Sequence, residues 1–204
     1  MHRIAIFIGT RPEAVKMAPV IAALHAAPGL EPLVVNTGQH RELIEQVIEL
    51  FGIHVDRDLA VMKPNQSLAP LLARLLERID DVLAEYLPDM VLAQGDTSTV
   101  LATALAAFFR QIPFGHVEAG LRTGDMRSPF PEEANRILTT PLTTLHFAPT
   151  DTAARALRRE QIPDERIFVT GNTVIDALFM ERDRQRSAEV TRQLDQVLRK
   201  RIGP

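Results

Sequence analysis

Short apolar runs recur along this chain and alternate with longer stretches of helical periodicity. Ile4-Ala5-Ile6-Phe7-Ile8 ends at Gly9, Pro32-Leu33-Val34-Val35 at Asn36-Thr37-Gly38, and Met90-Val91-Leu92-Ala93 just before Gly95-Asp96. Pro113-Phe114-Gly115-His116-Val117, Leu145-His146-Phe147-Ala148 and Arg166-Ile167-Phe168-Val169 follow. A strand with one wet face alternates apolar and polar residues. A continuous apolar run suits a strand covered by helices on both faces.

The clearest helix follows Ser67, where Leu68, Leu71, Leu72, Leu75, Leu76, Ile79, Val82, Leu83 and Tyr86 recur at helical steps before Leu87-Pro88. That spacing gathers one apolar stripe, with Arg74, Glu77, Arg78 and Asp81 outside it. Further helices are predicted over about 13–27, 40–51, 98–110, 132–139, 151–160 and 173–182. Pro19 lacks a backbone donor, which predicts a kink or a lead-in turn in the first. Strand–helix alternation with right-handed crossovers gives an α/β fold: a doubly wound, mostly parallel, Rossmann-like sheet. Ligands of such sheets sit beyond the carboxyl ends of the strands.

The alternation fills residues 1–180, expected to form one Rossmann-like domain. Residues 181–204 read as a charged linker or tail helix. Arg182, Arg184, Arg186, Arg192, Arg199, Lys200 and Arg201 surround one face bearing Val190, Leu194, Val197 and Leu198. No aromatic residue interleaves these cations, and the whole chain carries a net charge of −3, so a nucleic-acid partner is not expected. With 46% hydrophobic and 24% charged residues, the chain has the composition of a globular protein. It contains no cysteine, which excludes disulfides, thiolate metal sites and cysteine nucleophiles. No uncharged apolar run approaches the roughly 18 residues of a membrane span, and the first apolar run is too short for a signal peptide. The expectation is a cytoplasmic protein without a membrane partner.

The strand ends carry the chemistry. Gly9-Thr10-Arg11-Pro12-Glu13 turns the first strand into a helix whose free amides, with Arg11 and Lys16, could seat an anion such as a diphosphate. An ordinary turn with two surface cations reads equally well. His116 and Glu118 lie two apart, on one face of an extended strand. A metal site there is the weaker idea, because no second ligand pair accompanies them. Asp96 suits either chemistry or the cap of the next helix. Glu132 and Glu133 open another helix, where they complement its dipole. Taken together, Asp96, Glu118 and Glu132 map to one edge of the sheet. Gathered near Arg11 and Lys16, they would perturb one another's proton affinities as acid/base chemistry requires.

Longer motifs add a resemblance. The segments 9–19 (GTRPEAVKMAP), 37–41 (TGQHR), 94–97 (QGDT), 115–123 (GHVEAGLRT), 131–136 (PEEANR) and 170–176 (TGNTVID) resemble the non-hydrolysing UDP-N-acetylglucosamine 2-epimerases, in order, over residues 3 to 180. The resemblance implies the N-terminal domain of a GT-B architecture and interconversion of UDP-N-acetylglucosamine and UDP-N-acetylmannosamine for cell-envelope polysaccharides. UDP leaves C1 as the C2 proton is removed, giving 2-acetamidoglucal; UDP then adds back and a proton returns to the other face. It implies Asp96, Glu118 and Glu132 as catalytic acids. Arg11, Lys16, His116 and Arg136 become substrate-binding groups, and Gln39, His40 and Gln66 belong to an allosteric second site. No cofactor and no metal is implied, because the electrons end where they began.

The chain departs from that family in length. The C-terminal nucleotide-binding domain is expected to be absent, which implies weak or no turnover for the isolated chain. A homodimer, or association with a C-terminal half, is the expected assembly. A GT-B glycosyltransferase domain, a non-catalytic remnant that binds a partner, and a hydrolysing relative are the competing readings.

Overall fold

The computed structural model describes residues 1–38, 41–63, 66–186, 192 and 196, with residues 41–43 described by their backbone alone. A seven-stranded sheet forms the centre, in the order β3-β2-β1-β4-β5-β6-β7. The strands are β1 (His2–Ile8), β2 (Leu30–Asn36), β3 (Arg57–Asp58), β4 (Met90–Gln94), β5 (Phe114–Val117), β6 (Leu145–Ala148) and β7 (Ile167–Val169). The helices are α1 (Arg11–Ala26), α2 (Arg41–Phe51), α3 (Leu68–Tyr86), α4 (Ser98–Phe109), α5 (Glu132–Thr139), α6 (Asp151–Arg159) and α7 (Thr173–Gln185). Every strand pairing is parallel.

The apolar runs of β1, β4 and β5 are buried from both sides, as their continuity requires, whereas β7, at the edge of the sheet, leaves Phe168 and Val169 exposed. Ile4, Ile6 and Ile8 of β1 pack with Met17 and Ile21 of α1 and with Ile44 and Val47 of α2. Ala5 and Phe7, on the opposite face of the same strand, pack with Leu75, Ile79 and Leu83 of α3 and with the alanines of α4. Ala148 and Ile167 form a smaller cluster with Ala153, Ala154 and Leu157 of α6.

Several details differ from expectation. β3 is two exposed residues pairing with β2, too short and too polar to carry a pattern. α1 runs unbroken through Pro19 and begins at Arg11 rather than after a lead-in turn, with Pro12 as its second residue. α7 continues to Gln185, a few residues beyond the predicted 182, and packs on α1. Val190, Leu194, Val197, Leu198, Arg199, Lys200 and Arg201 lie outside the described residues. Among those described, no helix is long and apolar enough to cross a membrane.

Strand order reverses at β1, which has β2 on one side and β4 on the other. The loops leaving β1 and β4 run to helices on opposite faces of the sheet, opening a crevice between them.

Candidate active site

Two adjoining hollows occupy that crevice. The first is lined by Thr10, Lys16, Asp96, Glu118, Leu121 and Arg136 among others. The second is lined by Met62, Leu68, Leu71, Asp96, Glu132 and Asn135 among others. Asp96 belongs to both. Asp96, at the end of β4, is thus shared between Glu118, from the end of β5, in the first hollow and Glu132, from the start of α5, in the second.

Each is held by specific partners. Asp96 does not cap α4: Thr97 does, its hydroxyl accepting from the Val100 amide at 3.4 Å. The Asp96 carboxylate is free to pair with the Arg136 guanidinium instead, and its side chain stays 31% exposed. Glu118 follows the last residue of β5 with φ of 66°, a conformation that non-glycine residues adopt only under constraint. This turn ends the strand alternation, so Glu118 and His116 do not share a face. The Glu118 carboxylate accepts from Lys16 Nζ at 2.5 Å and from the Gln94 side-chain amide.

Arg136 is fixed from two sides. Besides Asp96 it pairs with Glu133, whose Oε2 accepts from Arg136 Nη2 at 2.5 Å and from Nε at 2.8 Å. The other oxygen of Glu133 accepts the Thr123 and Gly124 amides at 2.9 and 3.0 Å, tying the loop after β5 to α5. Burial works against the Glu133 charge, but the guanidinium and the amides outweigh it and hold the carboxyl below the usual range.

The turn after β1 differs from the expected anion cradle. Glu13 Oε2 accepts the Gly9 and Thr10 amides, each at 2.7 Å, so those donors are filled from within. Its Oε1 accepts the Thr97 hydroxyl at 2.5 Å, linking the loops after β1 and β4. Burial pushes the Glu13 carboxyl up, against the pull of those hydrogen bonds. Lys16 lines the first hollow, whereas Arg11 is exposed and lines neither. His116 lies beneath the first hollow rather than in it: it is 1% exposed, with Nε2 2.7 Å from Gly95 O. Gln66 binds Arg74 Nη2 at 2.8 Å through its Oε1 and contacts Met62 at the rim of the second hollow. Gln39 and His40 lie outside the described residues.

Two of these holding groups escape sequence reasoning. Glu13 completes a Thr-x-x-Glu pattern at a helix start, a capping-box signature. Glu133 stands three residues before Arg136, a helical ion-pair spacing. Both signals are present in the sequence, but neither foretells burial.

Comparison with known proteins gives a consistent result. The family model described as UDP-N-acetylglucosamine 2-epimerase matches residues 22–202. The UDP-N-acetylglucosamine 2-epimerase of Salmonella typhimurium is 57% identical over 182 residues, covering 89% of this chain and 48% of the relative. That of Escherichia coli strain K12 is 54% identical over 190 residues, covering 93% and 50%. Among solved structures, the Neisseria meningitidis UDP-GlcNAc 2-epimerase bound to UDP-GlcNAc superposes with a TM-score of 0.91 at 47% identity, covering 97% of this chain and 54% of that one. The Methanocaldococcus jannaschii UDP-GlcNAc 2-epimerase in complex with UDP-GlcNAc and UDP gives 0.86 at 35% identity, covering 96% and 54%. The chain thus spans about half the length of the relatives it matches.

Proposed function

This chain belongs to the UDP-N-acetylglucosamine 2-epimerase family, and on that premise we propose that it supplies the N-terminal wall of the cleft in which UDP-GlcNAc and UDP-ManNAc are interconverted. One observation carries the reading: Asp96, Glu118 and Glu132 line adjoining hollows that also hold Lys16 and Arg136.

The chemistry asks for this grouping. The C2 hydrogen of the sugar is not acidic, so breaking the C1–O bond to UDP leads, and positive charge develops at C1. Carboxylates stabilise that charge and carry the proton. UDP leaves with the electron pair of the C1–O bond. The electron pair of the C2–H bond forms the double bond of 2-acetamidoglucal, and the proton passes to a carboxylate. Re-addition of UDP reverses these changes, with a proton delivered to the opposite face of C2. Two faces need more than one acid/base group. We assign Asp96 to the group nearest C2, with Glu118 and Glu132 as partners in proton transfer and charge stabilisation.

Lys16 and Arg136 face the departing diphosphate, with Arg11 at the outer edge of the turn. Both inner cations are paired with carboxylates, Lys16 with Glu118 and Arg136 with Asp96. A diphosphate that attracts Lys16 and Arg136 loosens the grip on the acids that move the proton. The reading also includes a second, C-terminal domain facing this one in a GT-B arrangement. Self-association as a dimer, a regulatory site at Gln39, His40 and Gln66, and a cytoplasmic role in cell-envelope polysaccharide synthesis belong to it as well.

The test is turnover of UDP-GlcNAc in deuterium oxide, using the purified chain alone and mixed with the C-terminal half of a matched relative. Deuterium entering C2, together with UDP-ManNAc, supports epimerisation. Transfer of the sugar by the combined halves with C2 left unlabelled, as a glycosyltransferase would give, overturns the reading.

A further inference from the structure

The reaction described above makes no use of the buried imidazole beneath it. His116 lies within β5, 1% exposed, and its Nε2 is 2.7 Å from the Gly95 carbonyl oxygen. A carbonyl oxygen only accepts, so Nε2 carries the ring proton and Nδ1 keeps a bare lone pair. Nδ1 has no hydrogen-bond partner among the described residues. A position that served only to fill the core would gain from an apolar side chain there. The imidazole therefore answers to the one bond it makes.

That bond acts on the residue before Asp96. Gly95 has φ of 90°, and its amide donates to the Val117 carbonyl at 3.0 Å. The next carbonyl, that of Asp96, accepts from Asn135 Nδ2 at 2.8 Å. Two consecutive peptide carbonyls are thus gripped by side chains from different elements, β5 and α5. The Asp96 carboxylate is gripped separately by Arg136. A glycine in a left-handed conformation has many alternatives open to it, so the turn needs external restraint to hold one direction.

We propose that His116 and Asn135 are positioning residues: by holding the Gly95 and Asp96 carbonyls they aim the Asp96 carboxylate into the shared wall of the two hollows. The inference rests on the epimerase reading of Asp96. The imidazole suits the task because its ring is rigid and places one donor at a fixed reach. It also stays neutral at neutral pH. Burial first, and then the charges of Arg122 and Arg136, lower its pKa to about 4, against the Gly95 bond and Asp96, which favour the charge. His146, its register partner on β6, is also fully buried and faces it as a neutral ring.

The experiment compares His116→Leu, which keeps bulk without a donor, and His116→Gln, which returns a donor at similar reach. Asn135→Asp, which replaces a donor by an acceptor, tests the second grip. The first readout is nitrogen NMR of the chain itself at neutral pH. The ring of His116 should be protonated at Nε2 only. The Gly95, Asp96 and Thr97 amide signals should move in His116→Leu and Asn135→Asp, and return in His116→Gln. A ring protonated at Nδ1, or amide signals unmoved by His116→Leu, overturns the proposal whether or not the chain turns over.

The second readout is kinetic, in the form of the enzyme that turns over UDP-GlcNAc. His116→Leu should lower kcat by about tenfold to a hundredfold, with KM changed by less than about twofold, and His116→Gln should recover most of the rate. Equal losses in both His116 variants, matching their loss of folded protein, mean a structural role and overturn the proposal. Asp96→Asn separates the two levels. If it is as active as the parent, the epimerase reading of Asp96 fails. If it is inactive while His116→Leu runs at full rate, only the positioning role fails.

Discussion

Lys16 Nζ and Glu118 Oε2 meet at 2.5 Å across 102 residues of sequence. The pair joins α1 to the end of β5, passing over the carboxyl end of β4, where Gln94 donates to the same oxygen. Both side chains are mostly covered, at 23% and 13% exposure. Their interaction is therefore less screened than that of a surface pair. A double-mutant cycle with Lys16→Met and Glu118→Gln should give a coupling of about 0.5–3 kcal/mol in chemical denaturation. A value near zero would mean that the pair is incidental to the fold.

Glu118 also stores backbone strain, with φ of 66°. Glu118→Ala and Glu118→Gly lose the same side-chain contacts, but only glycine relaxes in the left-handed region. The glycine variant should be the more stable by about 1 kcal/mol in urea unfolding. Equal stability would show that the loop relaxes around position 118.

Asp96→Asn removes a charge and a base but almost no volume. With Thr97 rather than Asp96 capping α4, the helix keeps its start. The fold should persist by circular dichroism while turnover, measured with the chain completed by a C-terminal half, drops by a factor on the order of 10²–10⁴. A variant that turns over normally would take Asp96 out of the mechanism.

His146 is fully buried and neither of its ring nitrogens has a partner among the described residues. Burial, and then the neighbouring His116 and two arginines, lower its pKa from 6.5 to about 4. The unfolded chain therefore takes up this proton before the folded one. Stability is fully present above about pH 6.5 and is lost as the pH falls towards 4. His116 adds to the loss over the same range. His146→Leu should flatten this acid limb and raise stability at neutral pH by about 1–3 kcal/mol, since no unpartnered nitrogen remains at that position. Thermal unfolding between pH 4 and 7 checks both, and an unchanged slope would contradict the buried neutral ring.

The fold was legible because β1, β2 and β4 carry apolar side chains on both faces, a pattern that leaves little alternative to a covered parallel sheet. Arg57-Asp58 offered no such pattern, and pairs only because β2 presents a free edge. The positions of Asp96 and Glu118 were legible because the fold class names the strand ends as the place to look. The holding groups were not. Whether Glu13 is buried depends on Thr97, 84 residues away, and whether Asp96 pairs or caps depends on Arg136, 40 residues away. Local spacing does not encode such partners. His116 and Glu118 show the same limit: strand alternation predicts a shared face, and one left-handed residue cancels it.

The central place of β1 has a consequence during synthesis. Of the seven strands this one leaves the ribosome first, yet its Ala5–Phe7 face and its β4 edge stay bare until α3, Met90–Gln94 and α4 have followed. A nascent chain paused before Met90 presents an uncovered apolar ribbon, a natural client for chaperones and a seed for aggregation. The candidate crevice lacks the partner of Asp96 until Arg136 has emerged and docked, after five of the seven strands have been made.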